Sequence, residues 1–148
     1  MAQYDYNGLQ IEVPQDWQDR STIVLRAAEK IDDFRFNVVL MQRLFKHKSL
    51  NEAASQVRDE LRTQQIPGLK LYDIQEVEAG GLSWLDFDME HDVPLSAGLR
   101  PKIMRVRRRH MMTAKGTLLY ELLGTNVISQ FEAQAHLIDE IRASVVLP

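Results

Sequence analysis

One stretch, Phe34-Arg35-Phe36-Asn37-Val38-Val39-Leu40-Met41-Gln42-Arg43, restricts what this chain can fold into more than any other. Phe34, Phe36, Val38 and Leu40 alternate with Arg35, Asn37, Val39 and Met41, and a period of two suits a strand and not a helix. The first set is aromatic and aliphatic and predicts a core-facing surface. The second set, closed by Arg43, is too apolar for open solvent and too polar for a core. A sheet face of that kind is often covered by something else.

The other elements are read around this strand. Leu9, Ile11 and Val13 alternate with Gln10 and Glu12 and predict an opening strand with one buried face. Pro14, with no amide proton, ends its ladder, and Trp17 is expected to plug one end of the core. Ser21 to Ala28 reads as a second strand, with Ile23 and Leu25 on one face and Thr22, Val24 and Arg26 on the other. Ser49-Leu50-Asn51-Glu52 is a capping box. It opens a helix that turns Leu50, Ala53, Ala54, Val57 and Leu61 to the sheet until Ile66-Pro67-Gly68 stops it. Leu71 to Val77 predicts a weaker strand, Gly80-Gly81 a turn, and Leu82 to Glu90 a strand. His91 to Pro101, with Pro94 and Gly98, reads as a loop. Lys102 to Thr113 and Thr117 to Thr125 form a hairpin about Lys115-Gly116, and the second, apolar on both faces, suits a central position. Ser129-Gln130-Phe131-Glu132 reads as another capping box. The closing helix is expected to bury Phe131, Ala135, Ile138, Ile141 and Val145 and to turn Glu132, Asp139 and Arg142 outward. Three strands, a helix, four strands and a helix predict an α+β fold: an antiparallel sheet of about six or seven strands packed with two main helices.

A chain of 148 residues is long enough for a hydrophobic core and short enough for one domain spanning 1–148. Its net charge of −3 argues against general affinity for nucleic acid. It has no cysteine, which excludes disulfides, thiolate metal sites and a catalytic thiol. Met1 to Tyr6 shows neither the basic nor the apolar region of a secretory signal, and no stretch has the apolar length of a membrane span. The expectation is a cytoplasmic protein without stable membrane insertion.

The basic run Arg100, Lys102, Arg105, Arg107, Arg108, Arg109 and His110 is the loudest charge signal. Arg105, Arg107 and Arg109 share one strand face, as do Asp86, Asp88 and Glu90 on the preceding strand. Antiparallel pairing would make them a cross-strand ion ladder, favoured over a phosphate-binding patch. Arg108 and His110 then point the other way, without an assigned role. Glu132, His136 and Glu140 could align on the last helix, but such a row is more often a solvated face, so no metal is expected. No nucleophile–base pair, phosphate loop or dinucleotide fingerprint occurs. Neither an enzyme nor a cofactor is expected. What remains is the half-apolar face of Thr22, Val24, Asn37, Val39 and Met41, with Trp84 as a further candidate. Whether the two helices lie on opposite sides of the sheet or on one decides whether that face is open.

Gly8 to Ser21, GLQIEVPQDWQDRS, resembles the opening of the DcrB-related domains, which share the Mog1/PsbP-like fold and include the Eag chaperones of bacterial type VI secretion. The downstream order of elements is similar over nearly the whole chain. DcrB itself is an envelope lipoprotein, and an anchor of that type needs a cysteine absent here, so the likeness leans to the cytoplasmic Eag members. The resemblance implies a homodimeric chaperone or adaptor that shields the N-terminal transmembrane helices of a type VI secretion effector before export. Candidate lining residues for such a groove are Ile23, Val24, Asn37, Val39 and Met41, with Gln56 on the neighbouring helix. The alternative is a non-enzymatic module that docks on a folded partner through the basic strand or the segment His91–Pro101.

Overall fold

The computed structural model describes residues 1–6, 8–16, 22–97 and 100–148. Nine strands and two helices are present among them: β1 (Ala2–Tyr6), β2 (Leu9–Val13), β3 (Thr22–Arg26), β4 (Asn37–Leu44), α1 (Leu50–Thr63), β5 (Lys70–Leu71), β6 (Gln75–Ala79), β7 (Leu82–Ala97), β8 (Arg100–Lys115), β9 (Leu118–Val127) and α2 (Ile128–Ala143). Seven strands form one antiparallel sheet in the order β3-β4-β9-β8-β7, with β5 and β6 both pairing β7. The expected α+β architecture is present, and β9, apolar on both faces, lies between β4 and β8.

The helices take opposite sides. α1 packs Ala53, Ala54 and Val57 on Leu85, Phe87, Met112 and Leu119. α2 packs Phe131 and Ile138 on Val38, Trp84, Met111 and Leu122. Gly124 lets α2 approach β9 closely, because a Cβ there would lie 2.8 Å from Ile138 Cδ1. The first cap forms as read: Ser49 Oγ accepts from the Glu52 amide at 3.2 Å.

Several elements differ from the sequence expectation. The opening strand is half of a separate two-stranded sheet, β1–β2, whose Tyr6↔Leu9 pairing spans an Asn-Gly dipeptide, a strong hairpin signal. Leu9 and Ile11 are exposed, so this strand has no buried face. Trp17 and the Asp19-Arg20-Ser21 stretch lie outside the described residues. Regular pairing in β4 begins at Asn37, with Phe34 in an isolated bridge to Ile31. The weak strand is two strands separated by Tyr72–Ile74, three residues opposite Phe87 and Asp88, which is the count of a bulge.

The expected loop His91–Pro101 continues β7 and β8 as a long hairpin. Pro94 is tolerated for a register reason. The Asp92 amide points away from β8, donating to Pro67 O at 2.9 Å. Position 94 has the same parity, so its missing donor falls on a free edge. The second capping box does not form. Val127 occupies the cap without a side-chain bond, and Ser129 Oγ instead donates to Asp32 Oδ2 at 2.6 Å. Finally, Arg142 turns inward. It is 4% exposed and pairs with Asp86, so the carboxylate and not the helical period sets its direction.

Candidate functional site: an open sheet face beside α1

Strand parity sorts the charged run onto the two faces. On the α2 side, Arg109 Nε meets Asp88 Oδ1 at 3.0 Å and Arg107 Nη2 meets Asp88 Oδ2 at 2.8 Å. Arg105 reaches Glu90 at 3.4 Å and Asp92 at 3.1 Å. The expected ladder is therefore real, shifted by one pair, with Asp86 taken by Arg142. Asp86, Asp88 and Glu90 are buried, so these pairs matter more than surface bridges. Tyr72 donates to Glu90 and holds its carboxyl below the usual range. These arginines are already engaged and offer little free charge to a phosphate backbone.

The α1 side is different. α1 lies over β7 and β8, leaving the β3–β4 end of that face without a helix. A groove of about 770 Å³ opens there, with Met41, Arg43, His110 and Glu121 on the sheet and Gln56 and Glu60 on the helix. At its base His110 stacks on Phe87, with ring centroids 5.0 Å apart. His110 Nε2 lies 3.3 Å from Glu121 Oε1, which also accepts from Arg43 Nη2 at 2.9 Å. Burial pushes the Glu121 carboxyl up, but His110 and Arg43 outweigh it and hold the group below the usual range. A carboxyl depressed in the folded state adds stability above its unfolded pKa and loses it as pH falls through the folded value. Glu121→Gln is therefore expected to flatten the loss of stability below the ordinary glutamate range, read as melting temperature against pH.

The sequence-derived candidates divide on inspection. Met41 and Gln56 meet across the groove, together with Thr22. Val39, Asn37 and Val24 continue the same face, because Thr22 pairs Met41, Val24 pairs Val39 and Arg26 pairs Asn37. Val24 is 53% exposed. Ile23 does not belong, since it pairs Leu40 and faces the other side with Leu25 and Val38. Trp84 does not belong either; it is buried under α2. Sequence reading missed Arg43, His110 and Glu121 as lining residues. Their signal was parity, since β8 and β9 had to be placed in register before His110 and Glu121 could be seen as neighbours.

Among the described residues no group of three or more metal-binding side chains converges, and no helix is long and apolar enough to cross a membrane. No protein-family model matches the chain, and no curated protein matches it. A solved structure with a similar fold is that of PA94 from Pseudomonas aeruginosa, a protein of unknown function suggested as a regulator. The likeness covers 100% of this chain and 97% of that one, at 14% identity and TM-score 0.74. A fainter likeness, at 11% identity and TM-score 0.44 over 84% of each chain, is to LpqN, involved in cell envelope biogenesis of Mycobacterium tuberculosis. The PA94 likeness shows that the seven-stranded α+β fold is a recurring one and leaves the activity to be argued from the open face.

Proposed function

We propose that this domain is a non-enzymatic chaperone or adaptor that receives an apolar helix of another protein on the open face beside α1. In this reading the occupant is an N-terminal transmembrane segment of a type VI secretion effector held before export, with a second copy of the chain completing the enclosure. The observation that carries it is the β3–β4 end of the sheet, which no helix among the described residues covers on the α1 side and which β9 borders on the inside. Three strands about 4.8 Å apart span roughly 10 Å, close to the 10–12 Å diameter of a helix with its side chains. α1 supplies a side wall.

Val24, Val39 and Met41 give the shelf apolar contact, and Gln56 and Asn37 give it hydrogen-bonding groups, as helices use inside membranes. An exposed transmembrane helix in water is disfavoured by roughly 25 cal/mol per Å² of apolar surface, and the shelf would remove part of that. The resemblance of Gly8–Ser21 to the Eag chaperones supports the same reading. A module docking on a folded partner through the basic strand is less favoured, because Arg105, Arg107 and Arg109 are already paired within the sheet.

Co-expression with the N-terminal transmembrane fragment of a candidate effector tests the proposal. A soluble complex is expected from the wild type. Val39→Asp and Met41→Asp should each cut its recovery about tenfold or more, the cost of a desolvated charge. Both positions are only half-buried, so melting should shift by little. A fragment that stays insoluble while the protein captures a folded soluble partner would move the reading to a docking module.

A further inference from the structure

We propose that Arg108 recognises a carboxylate carried by the bound helix, so that the groove takes an apolar segment bordered by an acidic side chain. The inference rests on the helix-binding reading above and specifies its partner. Register arranges the open face in rows. Thr22, Met41 and Glu121 make one, Val24, Val39, Leu123 and His110 the next, and Arg26, Asn37, Thr125 and Arg108 the third. The apolar middle row thus has a charged group on each side.

The two charges are not equivalent. Glu121 is already held by Arg43 and His110. Among the described residues no carboxylate holds Arg108. Arg105, Arg107 and Arg109 each meet one on the opposite face. Arg108, by contrast, makes one hydrogen bond among the described residues, from Nε to Thr125 Oγ1 at 3.0 Å. Burial alone acts on it, and pulls its pKa down. Both terminal amino groups of its planar fork remain for another acceptor.

A half-buried guanidinium without an anion is held at a cost, and the cost is relieved only if a negative group arrives. A carboxylate matches the fork in two parallel hydrogen bonds. A helix running along β4 over Met41 and Val39 would come beside this row about one turn further on, since neighbouring rows on one strand face are about 7 Å apart. Arg26, exposed in the same row, would add attraction over a longer distance. The expected partner therefore has an Asp or Glu at the border of its apolar stretch.

The test uses two reporters, each a soluble carrier bearing a Leu/Ala segment of about 20 residues, ended by Asp in one and Asn in the other. Each is co-expressed with the full chain. The wild type is expected to recover the Asp reporter about tenfold better than the Asn reporter, and Arg108→Gln to recover both at the Asn level. Equal recovery by the wild type would overturn the carboxylate assignment and leave the helix-binding reading standing. Recovery of neither reporter would overturn both. The wild-type comparison needs no variant to fold. If Arg108→Gln does fold and keeps the Asp preference, Arg108 is not the recognising group and the assignment fails.

Discussion

Arg142→Ala is expected to lower unfolding stability by about 3–5 kcal/mol, the range for breaking a buried ion pair from one side. On a domain of this size that is on the order of 10 °C in melting temperature. Arg142 comes from α2 and Asp86 from β7, so the pair ties the last helix to the sheet one helical turn beyond Ile138, the residue seated over Gly124. Removal leaves the Asp86 carboxylate buried without its cation. Two observations separate this account from simple loss of packing. Burial already pushes the Asp86 carboxyl up, against the hydrogen bond and charge of Arg142. A raised carboxyl contributes stability that is present below its unfolded pKa and lost as pH rises through the folded value. The deficit of Arg142→Ala should therefore shrink in acid. Furthermore, Asp86 Oδ1 and Arg142 Nε have no hydrogen-bond partner among the described residues, so the pair is imperfectly satisfied. The double variant Asp86→Leu/Arg142→Met should recover most of the loss, as apolar replacements of buried pairs often do. Urea unfolding of the three proteins at neutral and acid pH reads both effects.

Phe131→Ala is expected to cost a similar amount, about 3–5 kcal/mol. Phe131 is fully buried in the α2-side core, and its ring also carries the guanidinium groups of Arg107 and Arg109 at 5.3 and 5.4 Å from the centroid. The substitution opens a cavity and removes the surface on which the ladder stands. Phe131→Leu keeps apolar volume but loses the quadrupole, and should cost less, about 1–2 kcal/mol. Equal destabilisation by the two variants would show that the ring face matters more than the volume. Because Phe131 and Arg142 share one network, their effects should not add.

Much of this was legible in the chain because strands and helices announce themselves by period. Phe87 and Asp88 could be assigned to opposite faces from alternation alone, and the ion ladder followed before any pairing was known. Ala53, Val57 and Ser49 likewise marked the first helix with its buried stripe and cap. The failures have a common physical cause, namely that a distant partner overrode a local preference. Ser129 suits an N-cap, but the Asp32 carboxylate takes its hydroxyl. Arg142 suits solvent, but Asp86 draws it inward. Pro94 suits a loop, but only residues already in register show that its missing amide falls on a free edge. The groove was partly visible in Val39 and Met41. Its floor was not, because His110 and Glu121 become neighbours only when β8 and β9 pair.

The placement of α1 and α2 on opposite sides has a consequence for how this protein can change. Each helix covers a buried apolar cluster, and the α2 side adds the buried ion ladder and the close approach at Gly124. The outer shelf of Val24, Val39 and Met41 is exposed or half-buried and lies outside the apolar clusters of both helices, with the cluster of Arg43 and the buried Glu121 and His110 on its inner border. Exchanging those three side chains should disturb the fold less than a change at that cluster or under either helix. The sheet thus separates the packing that holds the domain together from a patch of surface that can be rewritten, which makes the domain a scaffold on which that patch can be redesigned.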